Sequence, residues 1–107
     1  MIDLEKMAES HKQLFPHATL ESQEEKLKEE AREVLQELAD CFVVCVGVGR
    51  FDQEKAEVAM GVIEHCCVAL GFGVADLVQE VNRKWKINLK RKWEWNGKTY
   101  HHVGEDK

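Results

Sequence analysis

No apolar run in the 107 residues reaches the roughly 18 that a membrane-spanning helix needs. The opening MIDLEKMAES is acidic and amphipathic and has no signal-peptide pattern. The expectation is a cytoplasmic protein with no membrane partner. A basic excess is missing too. The formal net charge is -5, which argues against nucleic acid as the main partner. It leaves room for a small phosphate ligand held through a metal. There is no CxxC pair among Cys41, Cys45, Cys66 and Cys67. All four sit in apolar runs, where free cysteine behaves as a small hydrophobe, and buried thiols in a reducing setting are expected. Zinc binding by Cys45, Cys66 or Cys67 with His65 is disfavoured, because His65 and the two cysteines after it cannot all point one way on a helix. Internal repeats and linkers are also lacking. Residues 1–107 therefore read as one domain with one modest core.

What is present is helical periodicity. Residues 3–14 read as a first helix capped by Asp3, with Ile2, Leu4, Met7, Leu14 and Phe15 as its apolar side and Pro16 as its stop. Thr19 is a plausible N-cap for the second helix, although Thr19 to Ser22 does not read as a capping box. Leu20, Leu27, Val34, Leu38 and Phe42 continue that helix. The Val-rich run 41–49 could by itself be a buried strand. No turn signal precedes it, so one helix over about 20–48 is expected, ending at Gly47 or Gly49. A third helix follows Asp52 over about 53–70, with Val58, Val62, Ile63, Cys66, Val68 and Leu70 offered to the core. Gly71-Phe72-Gly73 closes it. The fourth covers about 74–90, with Val74, Leu77, Val81, Trp85 and Leu89 on a helical period. Residues 92–102 alternate around Asn96-Gly97, which favours a type I′ hairpin. Trp93, Trp95 and Tyr100 are expected to brace it against the helices. Residues 104–107 are expected to fray. The fold class is all-α, a four-helix bundle with a small C-terminal β-hairpin.

Two constellations carry chemistry. On the second helix, Glu30, Glu33, Glu37 and Asp40 share a stripe about 80° wide at 100° per residue. Like charges at these spacings repel by roughly 0.2–0.5 kcal/mol a pair. The stripe is either a solvated face or a cation site. Mg²⁺ takes hard oxygen ligands at about 2.0–2.1 Å, and two carboxylates at i,i+3 can reach one ion. On the fourth helix, Lys84, Asn88 and Arg91 fall at i, i+4 and i+7. They suit phosphate oxygens, or they complement the C-terminal dipole. Arg83, Lys86, Lys90 and Lys92 point elsewhere and read as solvated charge. The histidines add little, although His101 and His102 follow the hairpin. A base-stacking role for Trp85, Trp93 or Trp95 is open beside the plainer one of packing.

In order, Glu29-Glu30-Ala31-Arg32-Glu33, Glu37-Leu38-Ala39-Asp40 and Lys84…Asn88…Arg91 resemble the E-E-x-x-E, E-x-x-D and K-x-x-x-N-x-x-R motifs of the MazG-like nucleoside triphosphate pyrophosphohydrolases. LFPHATLESQ, GVGRF and RKW fit the surrounding pattern, and the likeness runs over about residues 10–101. The resemblance implies an enzyme that hydrolyses a nucleoside triphosphate to the monophosphate and pyrophosphate with Mg²⁺ or Mn²⁺. Glu30, Glu33, Glu37 and Asp40 would hold the metal, and Lys84, Asn88 and Arg91 would grip the phosphates. Glu29 would be an outer-shell or base residue, with Glu33 also placed in the catalytic set. The chain departs from the family in one large respect. Only Val34-Leu35-Gln36 separates Glu33 from Glu37, where the family has a connector long enough to reverse the chain. Three good helix formers cannot reverse a helix. Ten residues of straight helix span about 15 Å, too far for one ion. The expectation is a fused helix whose site is completed by a second, antiparallel chain centred on Leu35. The assembly would be a dimer-completed or domain-swapped homodimer, or a dimer of dimers. The alternative is a catalytically inactive helical dimerisation or interaction module.

Overall fold

A computed structural model of the protein describes residues 2–104. In chain order they form α1 (Leu4–Leu14), α2 (Leu20–Gly49), α3 (Gln53–Ala69), α4 (Val74–Lys90), β1 (Lys92–Trp95) and β2 (Tyr100–Val103). The architecture is four helices followed by a two-stranded antiparallel hairpin. Among the described residues no single helix is long and apolar enough to cross a membrane. The expected fraying at 104–107 concerns residues 105–107, which lie outside the described residues. The chain divides into two compact units, Met1–Glu33 and Val34–Lys107, described here separately.

In the first unit, Asp3 caps α1 by accepting from the Lys6 N–H at 3.1 Å. The helix stops one residue before Phe15, which precedes Pro16 and is non-helical at φ -130°. Thr19 and Ser22 correct the sequence reading. The Ser22 Oγ accepts from the Thr19 N–H at 2.9 Å, and the Thr19 Oγ1 accepts from the Ser22 N–H at 3.1 Å. That is the reciprocal geometry of a capping box, with Ser22 doing the work usually given to Glu or Gln. The proposed apolar side of α1 is not buried: Leu4, Met7, Leu14 and Phe15 are exposed, as are Leu20 and Leu27 on α2.

Helix α2 runs for 30 residues without a break, and Val34, Leu35 and Gln36 are helical. Ala, Leu, Glu, Lys and Arg dominate its first two thirds, and these are strong helix formers. The Val-rich run continues the same helix rather than forming a strand. Asp52 then accepts from the Lys55 N–H at 3.0 Å and starts α3. Gly49 lies 3.4 Å, measured from an ideal Cβ, from the Cβ of Ala56, so two small residues let the end of α2 meet the start of α3. Gly71, at φ 95°, turns the chain toward α4 in a conformation that glycine alone adopts cheaply.

The core of the second unit is Leu35, Cys45, Ile63, Cys67 and Leu77, with Leu38, Phe42, Ala59, Met60, Phe72 and Val81 packed against it. Taking Leu35 as zero at about 100° per residue, Leu38, Ala39, Phe42 and Cys45 fall within about 120°. This face is rotated about 40° from the one set by Val34, Leu38 and Phe42. Ala39 is fully buried while Val34 is exposed, because a small side chain admits a closer neighbour than a β-branched one. On α3 the buried residues are Ala56, Ile63 and Cys67; Val58, Val62, Val68 and Leu70 are exposed, contrary to expectation. On α4 Leu77 and Val81 pack, whereas Val74, Trp85 and Leu89 do not. Of the cysteines, Cys45 and Cys67 are buried as expected, and Cys41 is exposed.

The hairpin pairs Trp93 with His102 and Trp95 with Tyr100. Its turn differs from the expected type I′. Gly97 alone has positive φ, at 96°, so the central residues are Gly97-Lys98 in the manner of a type II′ turn. The Asn96 Oδ1 accepts from the N–H groups of Lys98 and Thr99, at 2.9 and 2.8 Å. That local bond places asparagine before the turn rather than inside it. Trp95 and Tyr100 do not brace the hairpin against the helices, for both are exposed; Trp93 does, by donating its indole N–H to the Asn88 carbonyl of α4 at 2.9 Å.

Leu77 is 2% exposed and sits at the meeting of α2, α3 and α4. Leu77→Ala should lower unfolding stability by about 2–4 kcal/mol, measured in urea. Burial, and secondarily the charge of Asp76, push the Cys67 thiol above its ordinary value of 9.0. The folded value exceeds the unfolded one, so the contribution of the neutral thiol is whole below pH 9.0 and is lost as pH rises through the folded value. Stability measured from pH 9.0 upward should fall more steeply in the wild type than in Cys67→Ala.

Candidate functional site

The acidic stripe divides between the two units. In the first, Glu29 and Glu30 meet Lys26, whose Nζ lies 3.5 Å from the Glu29 Oε1 and 3.8 Å from the Glu30 Oε2. These are exposed pairs on one helix, worth well under about 1 kcal/mol each. Glu33 is exposed. In the second unit Glu37 is exposed and Asp40 is half-buried. On α2, counting from Leu35, Glu37 lies at about 200° and Asp40 at about 140°, both outside the buried sector.

Asp40 has the long-range contact. Its Oδ2 accepts from the Lys84 Nζ at 3.4 Å, joining α2 to α4 across 44 residues of sequence. The Lys84 side chain is only 17% exposed, so its ammonium faces a carboxylate in a partly screened place. Next to Lys84, Arg83 forks the Glu80 carboxylate at 2.9, 3.2 and 3.3 Å. The hydrogen bond to Glu80 raises the Arg83 guanidinium above its ordinary value; burial opposes this, and the charges of Glu80 and Asp40 add to it. Arg83 is exposed, as expected of solvated charge, and is also held by Glu80. The signal for that contact was present as a Glu80–Arg83 pair at i,i+3.

Asn88 follows Lys84 by about 6 Å of helix rise on the same face of α4, whereas Arg91, expected on that face too, lies just past the helix end as its C-cap with extended backbone. The Asn88 Oδ1 accepts from the Arg91 Nη1 at 3.2 Å, and both residues are half-buried. The Asn88 carbonyl, near the end of the helix, accepts from the Trp93 Nε1 at 2.9 Å. A row of cation, amide and cation thus starts at the acid of α2 and ends at the root of the hairpin. The expected brace between Trp93 and the helices thus takes the form of a side-chain bond to a helix-end carbonyl, whose partner depends on where the strand leaves the helix.

Among the described residues no three His, Cys, Asp or Glu side chains are grouped to hold an ion. Glu30 with Glu33, and Glu37 with Asp40, remain as two i,i+3 pairs, each short of the six oxygens that Mg²⁺ takes. No protein-family model matches the chain, and neither curated proteins nor solved structures provide a match.

The Asp40–Lys84 contact is measurable apart from any activity. A double-mutant cycle of Asp40→Asn and Lys84→Met should give a coupling of about 0.5–1 kcal/mol at low salt, diminished at high salt. A coupling of zero would mean that the two side chains do not meet in solution.

Proposed function

We propose that the chain is a divalent-metal-dependent nucleoside triphosphate pyrophosphohydrolase of the kind its motifs resemble. It would cleave between the α- and β-phosphates and release a nucleoside monophosphate and pyrophosphate. The observation that carries this reading is the 3.4 Å approach of Lys84 to Asp40. It brings the first residue of the basic row to the last residue of the acidic stripe, two motifs with no local reason to meet. Lys84, Asn88 and Arg91 bind phosphate oxygens and steady charge on the leaving group. Lys84 exchanges Asp40 for a phosphate oxygen as the substrate settles. A bound Mg²⁺ or Mn²⁺ supplies neutralisation of phosphate charge and an acidified water.

The metal's place is completed by a second chain in this reading. The uninterrupted α2 keeps Glu30 and Glu33 from folding back on Glu37 and Asp40. An antiparallel partner offers the complementary pair, with the two-fold axis at the level of Leu35. Because the Leu35 side chain is committed to its own core, the partner meets the opposite side of α2, where Glu37 lies. Glu29 takes an outer-shell or base role. A homodimer or a pair of dimers follows.

The same unbroken helix, with the lack of a three-ligand group among the described residues, favours a second reading: a helical interaction module that has lost catalysis. Incubation with Mg²⁺ or Mn²⁺ and a panel of nucleoside triphosphates separates the two. The enzyme releases pyrophosphate as a dimer or larger, and Glu33→Gln and Asp40→Asn fall to background. Mixing those two inactive variants restores part of the activity, because one of the two sites in a heterodimer regains an intact set. A purified dimer with neither turnover nor metal binding establishes the module instead.

A further inference from the structure

The hairpin presents an aromatic face that the fold leaves uncovered. Successive strand residues alternate sides, so the register Trp93↔His102 and Trp95↔Tyr100 puts all four rings on one face. Lys92, Glu94, His101 and Val103 take the other. Trp95 and Tyr100 are 58% and 66% exposed, and Trp93 is 40% exposed. Their rings are not used up on one another. Trp95 and Tyr100 lie 5.3 Å apart but tilted by 59°, and Trp93 meets His102 edge-on at 87°. Neither pair is a parallel stack, so ring area stays open to a flat guest. A two-stranded hairpin is marginal in water by itself, and the cross-strand ring pairs support it while leaving their outer surface exposed.

What places the guest is the link to the basic row. The Trp93 indole is bonded to the Asn88 carbonyl, and Asn88 holds Arg91. Phosphate-binding groups therefore run along α4 from Lys84 and stop where the aromatic face begins. A nucleotide has the same order of chemistry, with an anionic chain at one end and a planar π-system at the other. The row is about 10 Å long, a fitting length for a triphosphate.

We infer that this face is the nucleobase platform of the site, with the base on Trp95 and Tyr100 and the phosphates pointing along α4 toward Lys84 and Asp40. The inference rests on the nucleotide reading given above and adds the substrate's direction and the residues that hold its base. Stacking on these side chains tolerates any base, since each has a π-face. Ring stacking by itself gives low base selectivity.

The test compares two probes on the full-length chain with Mg²⁺ present: a non-hydrolysable α,β-methylene nucleoside triphosphate and inorganic tripolyphosphate. Binding is followed by calorimetry and by tryptophan fluorescence. Trp95→Ala and Tyr100→Ala should each weaken the nucleotide analogue by about ten-fold and leave tripolyphosphate unchanged. Trp95→Phe should retain most of the nucleotide affinity, and Lys84→Met should weaken both probes. If the wild type binds both probes and the alanine variants lose nothing, the platform is overturned while the nucleotide reading stands. Equal losses for both probes would likewise overturn it, as the signature of a disturbed hairpin. If the wild type binds neither probe, the nucleotide reading fails and takes the platform with it. Tighter binding of a single-stranded oligonucleotide than of the mononucleotide would reassign the face to strands, and fluorescence changes tracking self-association would reassign it to a second copy of the chain.

Discussion

Helix α2 cannot reverse between Glu33 and Glu37, and most of what is distinctive in this protein follows from that constraint. Three residues with good helix propensity, Val34, Leu35 and Gln36, leave the backbone no turn chemistry. The acids of the stripe lie on one helix, Glu30 and Glu33 in the first unit and Glu37 and Asp40 in the second, and Leu35 serves the core of the second unit. A carboxylate cluster needs convergence, and a straight helix supplies only neighbours at i,i+3 and i,i+4. Any ion held by more than two of these acids needs a second element to face them.

The charges of the second unit respond to the same geometry. Asp40 is the half-buried acid of the stripe, and α4 brings Lys84 to it. Glu80 engages Arg83 one turn away. Positive charge is thus drawn to the end of the stripe that is covered by the fold. Such a pair is modest as a source of stability. Its weight lies in position, since it makes Asp40 and the row on α4 parts of one place.

The hairpin depends on α4 in turn. Its strands begin immediately after Arg91, and the Trp93 indole closes the junction by capping a carbonyl near the helix end. The Asn88 carbonyl accepts both the Arg91 N–H, at 3.2 Å, and the indole N–H, at 2.9 Å. The indole bond fixes the strand's exit while the Trp93 ring stays 40% exposed. The aromatic side of the hairpin is thereby held next to the row without being buried by it.

The helices and their ends were legible in the sequence for local reasons. Asp3 and Asp52 cap as their side chains allow, Gly71 takes a left-handed conformation, and alternation around Asn96-Gly97 marks a hairpin. The motif residues Glu30, Glu33, Glu37, Asp40, Lys84 and Asn88 could also be placed on their helices from spacing, whereas Arg91 falls just past the end of α4. The core faces were less legible. Large residues such as Val58 and Val62 suggested contacts that small ones, Ala39, Ala56 and Cys67, make instead, because helix approach is governed by the smallest side chains between the axes. The turn type was misread because the Asn96 side chain bonded ahead of it rather than adopting a positive φ. By itself the sequence determined that α2 is unbroken, since helix propensity acts over a few residues. Only the tertiary structure decided that Asp40 meets Lys84 and that the hairpin's rings stay uncovered, since both depend on how elements distant in sequence pack together.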